Sequence, residues 1–240
     1  MKIRGYEITP EFLASRIDYA VVRQDITTQE LDEHIEACRR LGVNTFYVNP
    51  HALSYVRDGL AGSGVGPAAV VDFPMGAGGQ KVKLAAMQAA VHDGAAAIDP
   101  VIDFALVKTG QFERLTTELA ELVDAAEGRI VKFIIECSLL TDDEVTAVSR
   151  CVEAAGGDYV KTGSGQLTGP DFKQILLVKS ALSPDSKTKI KFSGTGRFWT
   201  TPIALMGFAA GADIIGTRSG DQIISELGAL EEVFRSISVD

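Results

Sequence analysis

At 240 residues the chain is long for one ordinary domain and close to the roughly 250 typical of a single closed α/β barrel. Its 46% hydrophobic and 23% charged residues are the composition of a folded globular protein, which excludes disorder as the default. A formal net charge of −9 excludes nucleic acid as the main partner, because a phosphate backbone is bound by an excess of clustered Lys and Arg.

The N-terminal MKIRGYEITPEF lacks the apolar stretch of a secretory signal, so the chain reads as soluble and cytoplasmic. A first strand is expected over 17–22, then a helix over 27–41 that Thr27 or Thr28 can cap and Gly42 can end. A second strand follows over 43–48. Gly62-Ser63-Gly64-Val65-Gly66 reads as a loop before a third strand over 68–73. Gly76-Ala77-Gly78-Gly79 opens a helix over 81–93, but lacks the full pattern of a dinucleotide site. The alanine-rich stretch 84–102 carries His92, Asp93 and Asp99, which excludes a membrane span. It holds the fourth strand, 97–102.

A helix over 112–126 precedes the fifth strand, 130–135, and Thr141 with Glu144 has capping-box spacing at the start of a helix over 141–155. The sixth strand, 159–162, leads to a helix over 169–182; the seventh, 188–192, to a helix over 201–210; the eighth is 213–217. Eight strands alternating with helices at steps of roughly 24 to 34 residues predict a single (β/α)8 TIM barrel, one α/β domain over 1–240.

Active sites of such barrels lie where the strands end. Asp99, Lys161 and Lys191 fall near the outgoing ends of the fourth, sixth and seventh strands, which converge on one mouth. Each alone reads blandly, as a solvated lysine or a turn aspartate before proline. Together they have a chemical use. Only the free amine of a lysine attacks a carbonyl, and burial beside a second cation disfavours the ammonium. Asp99 could then relay protons to and from the enamine carbon.

Cys38, Cys137 and Cys151 are an odd set without C-x-x-C spacing and read as reduced thiols. His34, His51 and His92 lie apart, without the three convergent ligands of a catalytic zinc, so neither metal nor other cofactor is expected. Trp199, beside Phe198, reads equally as a packing anchor or a pocket wall.

In order along the chain stand Ile17-Asp18, Val48-Asn49-Pro50, Phe73-Pro74-Met75-Gly76, Ile98-Asp99, Ile134-Ile135-Glu136-Cys137-Ser138-Leu139-Leu140-Thr141, Asp158-Tyr159-Val160-Lys161-Thr162, Lys191 and Gly216-Thr217. No single tetrapeptide is specific, but the ordered series resembles the deoxyribose-phosphate aldolases over nearly the whole chain. The resemblance implies a class I aldolase with Lys161 as Schiff-base lysine, Lys191 as the cation that lowers its pKa and Asp99 as proton relay. Asp18 and Glu136 are then polar supports at the mouth, and Thr162, Gly194, Gly196 and Gly216 join the substrate-binding set; Arg197 and Arg218 complete it because they follow the seventh and eighth strands, where phosphate sites of such barrels commonly lie. The implied partner is a sugar phosphate or another small anionic aldehyde, with a homo-oligomer left open.

The sequence departs from the family's pattern near the substrate. Asp-His-Thr-Leu becomes Asp18-Tyr19-Ala20-Val21, and Lys-Thr-Ser-Thr-Gly becomes Lys161-Thr162-Gly163-Ser164-Gly165. The phosphate-gripping Gly-Gly-Ile-Arg-Thr is replaced from Ser193 onward by Ser-Gly-Thr-Gly-Arg-Phe-Trp-Thr, Arg218 follows the eighth strand where a small residue is usual, and Tyr47 also stands at a usually small position. The aldol chemistry is thus better supported than deoxyribose 5-phosphate as substrate. Two rivals stand beside it: a phosphosugar isomerase or epimerase, needing no nucleophilic lysine, and a non-catalytic binding barrel.

Overall fold

The computed structural model describes residues 1–230 and 232, with the side chain of Arg197 outside the description. A short antiparallel hairpin, β1 (Lys2–Ile3) with β2 (Tyr6–Glu7), precedes helix α1 (Pro10–Ser15). Eight parallel strands then close in the order β10-β3-β4-β5-β6-β7-β8-β9. They are β3 (Ile17–Ala20), β4 (Thr45–Val48), β5 (Gly66–Val71), β6 (Ala97–Pro100), β7 (Ile130–Ile134), β8 (Tyr159–Lys161), β9 (Lys189–Ser193) and β10 (Ile214–Thr217). The fold is the single (β/α)8 barrel that the alternating pattern predicts. Among the described residues no helix is long and apolar enough to cross a membrane.

The outer layer comprises α2 (Thr28–Leu41), α3 (Leu53–Gly59), α4 (Gln80–His92), α5 (Phe104–Lys108), α6 (Phe112–Ala125), α7 (Asp142–Ala154), α8 (Phe172–Ala181), α9 (Thr201–Ala210) and α10 (Gly220–Ser225). Local chemistry sets several ends. Thr27 with Glu30 and Thr141 with Glu144 form complete capping boxes, each satisfying two orphan N–H groups of α2 and α7. Gly42 ends α2 in the left-handed region, where a side chain is strained. Helix α8 begins at Phe172, later than the expected 169, because Asp171 takes the cap and Gly169-Pro170 pack elsewhere. Strand β5 conversely starts early, at Gly66. A Cβ there would lie 3.1 Å from both Ala96 Cβ and Thr45 Cγ2, so glycine lets the backbones close.

Strand alternation sorts the side chains into two environments. Outward residues such as Phe46, Val71, Ile98, Phe133, Val160, Phe192 and Ile215 join one continuous core between barrel and helices. Tyr19 belongs to this outer set, its hydroxyl 3.0 Å from His34 Nδ1 on α2, so this tyrosine does not reach the mouth. Inside, Tyr47, Ala68, Val70 and Ala97 form a separate small cluster with Ala20, Val22 and Phe73. The rest of the interior is polar and charged.

Candidate active site

Two aspartates and three lysines meet inside the barrel: Asp18 on β3, Asp99 on β6, Lys132 on β7, Lys161 on β8 and Lys191 on β9. All are buried, and Lys161 and Lys191 are paired across neighbouring strands. Asp99 Oδ2 accepts from Lys161 Nζ at 2.8 Å and from Lys191 Nζ at 2.7 Å. Lys191 Nζ lies equally 2.7 Å from Asp18 Oδ2, which also accepts from Lys132. Asp18 Oδ1 takes the Thr45 hydroxyl at 2.6 Å and the Asn44 amide at 2.8 Å. The expected trio of Asp99, Lys161 and Lys191 is therefore one hydrogen-bonded cluster, with Asp18 as its floor. Lys132 was not singled out from the sequence; a lysine alternating into an apolar strand was the available signal.

Charge counting orders the cluster. Two carboxylates balance two ammoniums, and burial penalises a third. Burial is the largest influence on Lys161, lowering its pKa to about 8; Asp99 opposes the shift and Lys191 reinforces it. Lys132 is also lowered, chiefly by burial, against the pull of Asp18. Burial by itself would raise Asp18 and Asp99, but the lysines facing each together hold both below the usual carboxylate range.

Aromatic faces line the cations. Lys191 Nζ sits 3.7 Å from the Tyr47 ring centroid, with Lys132 and Lys161 at 5.5 and 5.6 Å, and Lys132 also lies 4.9 Å from the Tyr159 centroid. Gly216 makes room: a Cβ there would stand 2.4 Å from Ser193 Oγ and 3.0 Å from Lys191 Cε.

Above the cluster opens a pocket of about 230 Å³, near eight waters' share of liquid at roughly 30 Å³ each, so it suits a small molecule. Its wall includes Ala20, Ser164, Gly165, Gln166, Gly194, Gly196, Gly216 and Arg218. Lys161 and Asp99 lie deeper along their strands than this wall, the Lys161 side chain being only 6% exposed. Arg218 is exposed and forms no ion pair with any described residue; the nearby Asp221 pairs instead with Arg40 at 2.7 Å. Its Nε would be 3.6 Å from a Cβ on Gly196, which places it across the loop after β9. Arg197, the other candidate anion ligand, lies on that loop, but its side chain is outside the described residues.

The remaining expected residues serve the chain itself. Thr162 donates from its hydroxyl to Ser193 O at 3.2 Å and accepts from Ser193 N at 3.0 Å, tying β8 to β9. Glu136 accepts from Ser138 Oγ at 3.0 Å and from Ser164 N at 2.8 Å, clamping the loop after β8. That loop folds onto the next. Thr195 N donates to Thr168 O at 2.9 Å, and a Cβ on Gly194 would meet Pro170 N at 2.2 Å. Trp199 resolves as a packing anchor: it is buried, edge-on to Phe192, and donates from Nε1 to Gly194 O at 3.2 Å. No group of three or more His, Cys, Asp or Glu among the described residues is placed to hold a metal.

No family model matches the chain. Individual proteins do. It is 33% identical over 217 residues to a deoxyribose-phosphate aldolase of Dictyoglomus turgidum, covering 90% of this chain and 97% of that protein. The deoxyribose-phosphate aldolase of Streptococcus pneumoniae strain CGSP14 is 32% identical over 209 residues, or 87% of this chain and 93% of that one. Among solved structures, an aldolase designated QR15 superposes with a TM-score of 0.84 at 26% identity, over 92% of this chain and 98% of that one. The deoxyribose phosphate aldolase of Aeropyrum pernix, described as a tetramer, also gives 0.84, at 27% identity over 92% and 93% of the two chains. Likeness at this level along almost the full length of both partners, on the same closed barrel, makes the chain a lyase that belongs to the deoxyribose-phosphate aldolase family.

Proposed function

We propose that the chain is a class I aldolase in which Lys161 forms an imine with a small carbonyl donor and the acceptor is a small aldehyde carrying an anionic group. One observation carries this reading: Lys161 is the surplus cation of a buried cluster and its pKa is lowered to about 8. At pH 7 roughly a tenth of the side chain is then free amine, against well under a thousandth at the ordinary value near 10.4.

In the cleavage direction the Lys161 nitrogen adds to the substrate carbonyl, and uptake of one proton with loss of water leaves an iminium, that proton being released again at the final hydrolysis. Asp99 removes the proton of the hydroxyl beyond the bond to be broken, the carbon–carbon electrons flow into the iminium, and the acceptor leaves as an aldehyde. Asp99 returns the proton to the enamine carbon, and hydrolysis releases the donor and the free lysine. Lys191 lies between Asp18 and Asp99 and adds to burial in lowering the Lys161 pKa, which enlarges the free-amine fraction.

Borohydride added with an active donor is expected to fix that donor's mass at Lys161, located by peptide mapping. Labelling at Lys191 or Lys132 instead, or no adduct with any turned-over substrate, overturns the assignment. An isomerase or epimerase would also give none.

Arg218 supplies the acceptor's anion site in this reading, because its guanidinium stands at the pocket wall with no ion pair to any described residue and suits phosphate or carboxylate alike. Arg218→Ala is expected to lower kcat/KM for phosphorylated or carboxylated aldehydes by about 10- to 100-fold, the scale of a hydrogen bond to a charged group, and to spare neutral aldehydes. Equal losses on charged and neutral acceptors remove Arg218 from that role.

A further inference from the structure

Among the described residues Tyr47 is the one aromatic side chain set near Lys132, Lys161 and Lys191 together, and its placement is that of a working part. It is fully buried, and the other buried members of its cluster, Ala68, Val70 and Ala97, are small. Among the described residues its hydroxyl meets no partner in full hydrogen-bond geometry, although Asp99 and Thr45 lie near enough to act on it. The close contact is instead the ring face, 3.7 Å from Lys191 Nζ and nearly two ångströms farther from Lys161 and Lys132. An ammonium over a ring face is held by the ring's quadrupole, most strongly where water is excluded.

We propose that Tyr47 is a positioning residue for the aldol reaction: its π face seats the Lys191 ammonium between Asp18 and Asp99, so that the positive charge beside Lys161 resides on Lys191. The inference rests on Lys161 being the Schiff-base lysine. Lys161 is faced by Asp99 from β6, Lys191 from β9, Asp18 from β3, Lys132 from β7 and Tyr47 from β4, with Tyr159 two residues back on its own strand. A ring that favours the ammonium on Lys191 leaves the amine on Lys161.

The test keeps the ring's shape nearly constant and varies its charge distribution. Tyr47→Phe is compared with variants carrying 3,5-difluoro- and 3,4,5-trifluorophenylalanine at position 47, since fluorine draws π density from the face. The acid limb of kcat/KM, which reports the free enzyme, is measured in each, together with borohydride trapping at Lys161. Tyr47→Phe should keep the wild-type limb. The fluorinated variants should move it to higher pH in order of fluorination, by roughly half a unit to one unit in total, because the closer Lys191 loses more than Lys161. Superimposable limbs across the series, or a shift already complete in Tyr47→Phe, overturn the proposal. Absence of trapping at Lys161 in the wild type strikes the Schiff-base reading itself, whereas trapping with an unmoved limb strikes only this inference.

Discussion

Replacing Lys191 with methionine is expected to lower kcat about 100-fold near pH 7, change KM for the donor only a few-fold, and move the acid limb of the rate upward. Lys191 is bonded at 2.7 Å to the same Asp99 oxygen that holds Lys161. It opposes the pull of that carboxylate on Lys161, whose pKa is lowered to about 8 by burial first and by Lys191 in addition. Without Lys191, Asp99 acts on Lys161 alone and favours its ammonium. A rise of roughly two units takes the free amine at pH 7 from about a tenth to about a thousandth, each unit being tenfold. The reactive form is the deprotonated one, so the raised pKa shifts activity to alkaline pH, where much of it should return. Turnover and specificity measured from pH 6 to 10 decide this. A variant uniformly slow with an unmoved limb shows that Lys191 acts in some other way.

Asp18→Asn should cost about 3 to 5 kcal/mol of folding stability, the scale for removing one partner of a buried ion pair. Its carboxylate takes the Lys132 and Lys191 ammoniums on one oxygen and the Asn44 and Thr45 donors on the other. An amide leaves those cations short of one counter-charge in a dry interior. Asp18 is held below the usual carboxylate range, so in the parent its contribution is complete above the unfolded value of roughly 3.9 and is lost as pH falls through the lower folded value. The variant should lack that component of acid lability. Lys132 is already lowered by burial, and shedding its proton relieves the imbalance. The deficit should therefore narrow as pH rises, and Asp18→Asn with Lys132→Met should be more stable than Asp18→Asn alone. Urea unfolding at several pH values tests both; an additive double variant shows that the two side chains are not coupled.

The barrel was legible because its strands carry apolar runs at regular steps, and the helices that were found are those long enough to show a period. The segments that escaped notice, such as α1, α5 and the hairpin β1–β2, are two to six residues long and offer too few positions for any period to appear. At the site, Asp99, Lys161 and Lys191 were legible as polar residues at strand ends. Lys132 was not, since the expected strand 130–135 sets it well before the end, whereas 188–192 sets Lys191 next to its end; in the structure both are central in their strands, and the inward direction of Lys132 follows only from the parity of β7 against its neighbours. Parity also separates two departures from the family pattern that look alike in sequence: Tyr19 points to α2, whereas Tyr47 points into the charge cluster. Thr162 and Glu136 were recognised as belonging to the mouth. Their bonds to Ser193 and Ser164 join residues about thirty apart, which no local pattern encodes.

The contact between the loops after β8 and β9 also sets how the acceptor end can be redesigned. Thr195 N is bonded to Thr168 O, and Gly194 lies against Gly169-Pro170 too closely for any side chain. A graft that exchanges only one of these segments strands a main-chain donor and collides with the retained partner. The transplantable cassette is both loops together, residues 162–171 with 193–199, so variation tolerated at either is filtered by what the other already is.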